Sequence, residues 1–334
     1  MEDYFLFSSG KLTRHDSTVR LTRDDGKFKD IKIAVTKDIY RFGQVETNTE
    51  CLTYLAQNKI PVHYFNYYGF YSGTFYPRES NVSGSLLIKQ VQAYTDEKTR
   101  LKYAKGFVLG ASQNLLRNLK YYKRKGHDVE ESINQIAALI KDINRAGDIH
   151  ELMGIEGTIH RYYYAAWQNI FNRKVDFDKR VRRPPDNMVN TLISFLNTMV
   201  YTTCLSEIYV TQLNPTISYL HSTTERRFSL CLDISEIFKP LIVDRLIFSL
   251  INKKVISEDD FDQQSNYCYM REKAKQKVVH AYYDYLQTKI MHRTLHRKVT
   301  YQHLIRLECY KLIKSLIEDI DYEPFEIWWW FRCT

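Results

Sequence analysis

Four side chains in this sequence have the types and spacing to hold a divalent cation against phosphate. His221 offers a neutral imidazole, and LDISEIFKPLIVDR further on carries Asp233 and Glu236 one helical turn apart. Glu156 adds a third carboxylate from a separate stretch, MGIEG at 153–157. An imidazole with convergent carboxylates makes an oxygen-rich site, which favours Mg2+ or Mn2+. The surrounding chain is basic, with 48 Lys and Arg against 39 Asp and Glu. A few acids inside a basic field suit a metal-dependent enzyme acting on nucleic acid.

Each of these residues also has an ordinary structural role open to it. Glu156 lies near the start of the helical run GIEGTIHRYYYAAW. An acid there favours the helix N-terminus by a few tenths to ~1 kcal/mol, with no chemistry. His221 is one of ten histidines and follows Pro215 past a helix end, where a structural role is common. The string D-I-S-E reads equally as a capping box, with Asp233 at the N-cap and Glu236 at N3. A cap turns both carboxylates back onto backbone N–H groups, whereas a ligand points one at a cation. The residues alone leave both readings open.

The chain has 334 residues, enough for one large or two ordinary domains with a real core. Its net charge of +9 points to a polyanionic partner or a membrane surface. No stretch approaches the ~18 apolar residues that a membrane span needs. With 26 Tyr, ring faces are plentiful for stacking on bases, although most are expected in the core. Cysteines at 51, 204, 231, 268, 309 and 333 show no Cys-x-x-Cys spacing. They read as reduced thiols of a cytoplasmic protein rather than a zinc ribbon or redox pair. Trp328-Trp329-Trp330 is too short for a membrane anchor and is expected to pack as a C-terminal lock.

These features predict an α+β fold. A small β-rich domain over residues 1–80 should precede a larger, mostly α-helical catalytic domain over 86–334. Tyr4–Phe7, Thr18–Leu21, Ile31–Val35 and Ile39–Phe42 read as strands, divided by Gly10, Asp24-Asp25-Gly26 and Gly43. Thr47 with Glu50 forms a capping box before one helix, and strands follow at Val62–Tyr67 and Phe70–Tyr76. Beyond 86 the period becomes helical. Leu101, Ala104, Val108, Ala111, Leu115 and Leu119 set a core face, opposite six basic residues from Arg100 to Lys123. Asp128 should cap a helix to Ile143, His150–Phe171 should form the next, and Pro184-Pro185 should open a long one ending before Pro215.

Several long strings resemble the CRISPR-associated integrases of the Cas1 family, in the branch attached to type I-B systems. They are YFLFSSGKL, IPVHYFNYYGFYSGTFYPRE, ELMGIEG, RRPPDN, YTTCLSEIYVTQLNPTISYLH, LDISEIFKPLIVDR and HRTLHRKVTYQHLIRLECYKLIK, and they run nearly end to end. The resemblance implies that Glu156, His221 and Glu236 are the metal ligands, with Asp233 a supporting acid. It also implies pairing through the β-domain into homodimers, and a complex with the small companion protein Cas2. The implied reaction joins the 3′-OH of a short DNA fragment to a CRISPR repeat, and water in its place gives an endonuclease.

Basic clusters flank these acids. Arg226 and Arg227 offer forked donors to phosphate, as do Arg182 and Arg183 before the Pro-Pro, and Arg293 and Arg297 near the last helix. Tyr163, two turns along from Glu156, is placed to reach the same cleft and DNA. Two other functions fit the composition: a non-catalytic nucleic-acid-binding protein, and a metal nuclease or integrase working outside CRISPR.

Overall fold

The alternation in the first eighty residues folds into two four-stranded sheets. The structure is a computed structural model that describes residues 1–79, 81–182, 184–223, 228–264 and 267–329. The strands are β1 (Glu2–Leu6), β2 (Gly10–His15), β3 (Thr18–Arg23), β4 (Phe28–Lys32), β5 (Thr36–Arg41) and β6 (Val45–Thr47). Then come α1 (Thr49–Gln57), β7 (Val62–Phe65) and β8 (Tyr71–Phe75). One sheet runs β1-β5-β7-β8, and the other runs β4-β3-β2-β6. Leu12, Val19, Ile31, Ile39, Cys51 and Leu55 form a core among these elements. Residues Met1–Ser80 and Glu272–Tyr283 constitute this unit, so a helical segment from late in the chain belongs to it. Within it, Lys275 Nζ donates to the Tyr67 carbonyl at 2.6 Å.

Local differences from the sequence reading have physical causes. β2 escapes pattern reading because Leu12 is its sole buried side chain among polar neighbours. Ile33–Val35 forms a 3-10 turn, which ends β4 earlier. Thr47 belongs to β6 and donates to the Leu12 carbonyl, so it does not cap α1. Asn48 does, accepting from Cys51 N–H at 3.0 Å.

The second unit, Asn81–Arg271 with Asp284–Thr334, is mostly helical. Its helices are α2 (Gly84–Thr95), α3 (Glu97–Arg124), α4 (Glu130–Ile143), α5 (Ile149–Ala165), α6 (Trp167–Ile170), α7 (Met188–Tyr209), α8 (Ser229–Lys239) and α9 (Arg245–Asn252). A hairpin of β9 (Phe261–Gln264) and β10 (Tyr267–Met270) follows, then α10 (Glu272–Leu286). A second hairpin of β11 (Lys289–Met291) and β12 (Lys298–Thr300) leads into α11 (Tyr301–Glu318). α7 buries 18 of its 22 residues, which is why it is apolar around most of its circumference. Asp96, Asp148 and Asn187 cap α3, α5 and α7 through their side chains. α4 starts at Glu130 behind Val129 without a side-chain cap, so Asp128 does not serve there.

Beyond α11 the chain lies against α3, where glycine makes room for it. A Cβ at Gly110 would stand 2.6 Å from the Pro324 Cβ, and one at Gly106 would stand 2.9 Å from the Tyr322 ring. Asn114 grips the same segment, donating to the Phe325 carbonyl at 3.0 Å and accepting from Ile327 N–H at 2.8 Å. Trp328 and Trp329 pack on Phe325 and on each other, as a terminal lock would; Trp330 lies outside the described residues.

The basic face of α3 is largely occupied. Lys102 pairs with Asp321 at 2.6 Å, Lys123 pairs with Glu130, and Arg100 and Lys105 donate to the carbonyls of Tyr219 and Asn144. Cys51, Cys204, Cys231, Cys268 and Cys309 are buried free thiols. No helix among the described residues is long and apolar enough to cross a membrane.

Candidate metal centre

α5 and α8 carry the two glutamates that converge. Asp148 caps α5, so Glu156 sits two turns inside the helix, beyond the reach of the terminal dipole. α8 begins at Ser229 behind Phe228, which places Asp233 and Glu236 within the helix. The capping box suggested by D-I-S-E therefore does not form, and both carboxylates are left to other partners.

Glu156, Glu236 and His160 bring ligand atoms within 4.8 Å of one another. His160 Nε2 lies 3.1 Å from Glu156 Oε1 and 3.9 Å from Glu236 Oε2. Sequence reasoning overlooked His160. The signal was there: Glu156 and His160 are four residues apart and so share a helix face. Lys239, on the next turn of α8, pairs with the other oxygen of Glu236. Burial by itself pushes the Glu236 carboxyl up, but Lys239, His160 and His221 together pull it down to about 2. Burial works to deprotonate His160, yet its bond to Glu156 and the charges of Glu156 and Glu236 hold its pKa above the ordinary histidine value.

His221 stands apart from that trio and is anchored by Asp233. Its Nδ1 lies 2.8 Å from Asp233 Oδ1, and its backbone N–H donates to the same oxygen at 3.1 Å. Oδ2 accepts from Tyr219 and Leu220 N–H at 2.6 and 3.1 Å. One buried carboxylate thus ties the irregular segment after α7 onto α8. Burial lowers the His221 pKa, but the bond to Asp233 and the charges of Asp233 and Glu236 more than reverse this and raise it. With Nδ1 engaged, Nε2 is the nitrogen left for a ligand.

The remaining expected contact residues separate sharply. Tyr163 is fully buried, receives a bond from Asn118 Nδ2 at 3.0 Å, and packs edge-on against Trp167. It is a core side chain in this structure, on the same side of α5 as Glu156 but deeper, with Glu156 half-buried. Arg182 is exposed, whereas its neighbour Arg180 is spent on Asn190 and Ser194. Arg293 and Arg297 are exposed on the β11–β12 turn. Arg183, Arg226 and Arg227 lie outside the described residues.

Fold and site together define an α+β protein whose helical unit holds a carboxylate–imidazole cluster. The chain belongs to the family described as CRISPR associated protein Cas1, which it matches over residues 4–284. It is 50% identical over 326 residues to the CRISPR-associated endonuclease Cas1 of Fusobacterium nucleatum, covering 98% of this chain and 96% of that one. A second relative, from Thermodesulfovibrio yellowstonii, is 45% identical, with 98% and 100% covered. Among solved structures, a Cas1 protein from Thermotoga maritima matches with a TM-score of 0.88 at 40% identity, over 98% of this chain and all of that one. A casposase bound to integration product shares the fold at 20% identity, with a TM-score of 0.87 and 98% and 94% covered.

Proposed function

We propose that this chain is a metal-dependent DNA endonuclease and integrase of CRISPR adaptation. It would work in the cytoplasm, inserting short foreign DNA fragments as new spacers. The observation that carries this reading is the meeting of Glu156 and Glu236, from separate helices, with the His160 imidazole within 4.8 Å. Family membership and the +9 charge of the chain support it.

Carboxylates and imidazoles without a thiol suit Mg2+ or Mn2+. Glu156, His221 and Glu236 would hold the ion, which supplies Lewis acidity toward the scissile phosphodiester and the leaving 3′ oxygen. Asp233 engages Nδ1 of His221, so Nε2 is the nitrogen that would be left to hold the ion. His160 sits between the two glutamates, where it orients Glu156 and carries a proton close to the reacting phosphate. The attacking group is the 3′-OH of the incoming DNA, so no Ser, Cys or Tyr nucleophile is needed, and water in its place gives cleavage.

Two strand joins need two active sites. We assign the second to a homodimer made through the β-rich unit, with Cas2 as the companion that spaces the pairs. A joining assay with a 3′-OH oligonucleotide and a repeat-bearing plasmid, in Mn2+ and with Cas2, tests the reading. Integrated product that disappears in Glu156→Ala and His221→Ala is expected. Equal product in those variants overturns it.

A further inference from the structure

The β11–β12 hairpin is a strongly basic exposed feature outside the candidate metal centre, and its turn is built rather than loose. Four basic side chains, Arg293, His296, Arg297 and Lys298, occupy six consecutive positions, and all four are exposed. No ion pair of theirs is found among the described residues, unlike Lys102 and Lys123 of α3. Leu295, at the tip, is 42% exposed. His292 organises the turn: its Nδ1 accepts from the N–H groups of Thr294 and Leu295 at 3.2 and 3.1 Å. Its own N–H donates to the Arg297 carbonyl at 2.9 Å, and its carbonyl accepts from His296 N–H at 3.0 Å. From below, Trp328 props the turn, lying edge-on to His292 at 5.2 Å with the Arg293 guanidinium 5.4 Å from its ring.

We propose that this hairpin is a groove-binding arm for duplex DNA, with Arg293, Arg297 and Lys298 on flanking phosphates and Leu295 directed at the groove floor. This deepens the proposed function and rests on its DNA substrate. A two-stranded ribbon matches the width of a major groove. The charge is concentrated on the turn that would enter, and an ordered turn avoids an ordering cost on binding. Single-strand capture needs open aromatic faces. Here the nearest ring, Trp328, is already taken by His292, Arg293 and Trp329.

The test measures binding of the full chain to a labelled duplex, and to its single strand, across a salt series. Arg293→Gln/Arg297→Gln is compared with Arg145→Gln/Arg271→Gln, which removes equal charge from residues paired with Asp142 and Asp262. The hairpin variant should weaken duplex binding roughly tenfold or more and reduce the log–log salt slope by about two, as for two lost phosphate contacts. The control variant should do neither, and the melting temperature of both should match the parent. An unchanged slope in the hairpin variant, or equal loss on single strands, overturns the assignment while leaving the proposed function intact. A hairpin variant that binds DNA normally but loses binding to anionic phospholipid vesicles also overturns it. Failure of the parent chain itself to bind DNA overturns both.

Discussion

Asp233 holds His221 twice through one oxygen, at 2.8 Å from the ring and 3.1 Å from the backbone N–H. The Asp233 side chain is completely buried, so the arrangement tolerates no water as a substitute. Asp233→Asn keeps one acceptor but turns an NH2 group toward the N–H groups of Tyr219 and Leu220, which already donate there. Unmet buried donors cost about 1–3 kcal/mol each. We expect Asp233→Asn to lower stability by that order and to cut joining at least as much as His221→Ala. Melting and joining measured on one preparation check this. A variant with normal melting and normal joining would show that the anchor is dispensable.

Glu236 faces Lys239 and His160 rather than another bare carboxylate. The repulsion expected of clustered acids is therefore already offset within the chain. Glu236→Gln should lower the stability of the metal-free protein, by about 1–3 kcal/mol for a broken, mostly buried pair. It should also remove the rise in melting temperature produced by Mn2+. Metal affinity of the parent should increase with pH above the ordinary histidine range, because the bond to Asp233 and the charges of Asp233 and Glu236 raise the pKa of His221, whose proton must leave before the ring can hold a cation. Melting curves with and without Mn2+ measure the first two effects, and titrations of Mn2+ by electron paramagnetic resonance at several pH values measure the third. A stabilised metal-free Glu236→Gln protein contradicts the pairing.

The site was only partly legible in the sequence, and the reason is geometric. Spacing alone could not distinguish a cap from a ligand at Asp233 and Glu236, because α8 begins at Ser229, four residues before Asp233, without any side-chain cap to mark its start. Tyr163 and Glu156 are seven residues apart, which suggests one face, yet one is fully buried and the other only half-buried. Seven residues fall about 20° short of two full turns, so spacing indicates a shared side of the helix but not how deeply each side chain is buried. The β-rich start and helical remainder were readable because periods of 2 and 3.6 differ plainly. The inclusion of Glu272–Tyr283 in the first unit was not, since no local pattern records a contact made two hundred residues away.

Below the candidate centre, Asp244 closes the π-helical turn Pro240–Asp244 and is buried against Tyr163. Burial pushes its carboxyl up to about 7, only partly opposed by the Tyr163 hydroxyl, His160 and Lys239. The folded pKa is above the unfolded value, so its stabilising effect is full below pH ~4 and is lost as pH rises through 7. Each unit in that window removes up to about 1.4 kcal/mol. Denaturant titrations of the metal-free protein should show stability falling from pH 5 to 8 more steeply than in Asp244→Asn. Identical pH slopes in the two proteins would assign the dependence to another group.

Gly154 and Gly157 flank Glu156 on α5, and a Cβ at either would meet nothing within 4 Å. Nothing among the described residues requires glycine there, in contrast to Gly106 and Gly110 on α3. A mid-helix glycine costs about 0.5–1 kcal/mol relative to alanine, so each is a local loss of stability. The proposed chemistry supplies a reason, since a sugar–phosphate backbone must approach closely to set its phosphate against Glu156. Gly157→Ala should therefore raise the stability of the free protein by about 0.5–1 kcal/mol while slowing strand joining. Gly110→Ala should instead destabilise by about 1–3 kcal/mol, because Pro324 stands in the way. Melting and joining rates on the same variants separate the two helices. A Gly157→Ala protein that is both more stable and fully active would mean that DNA does not cross α5 at this point.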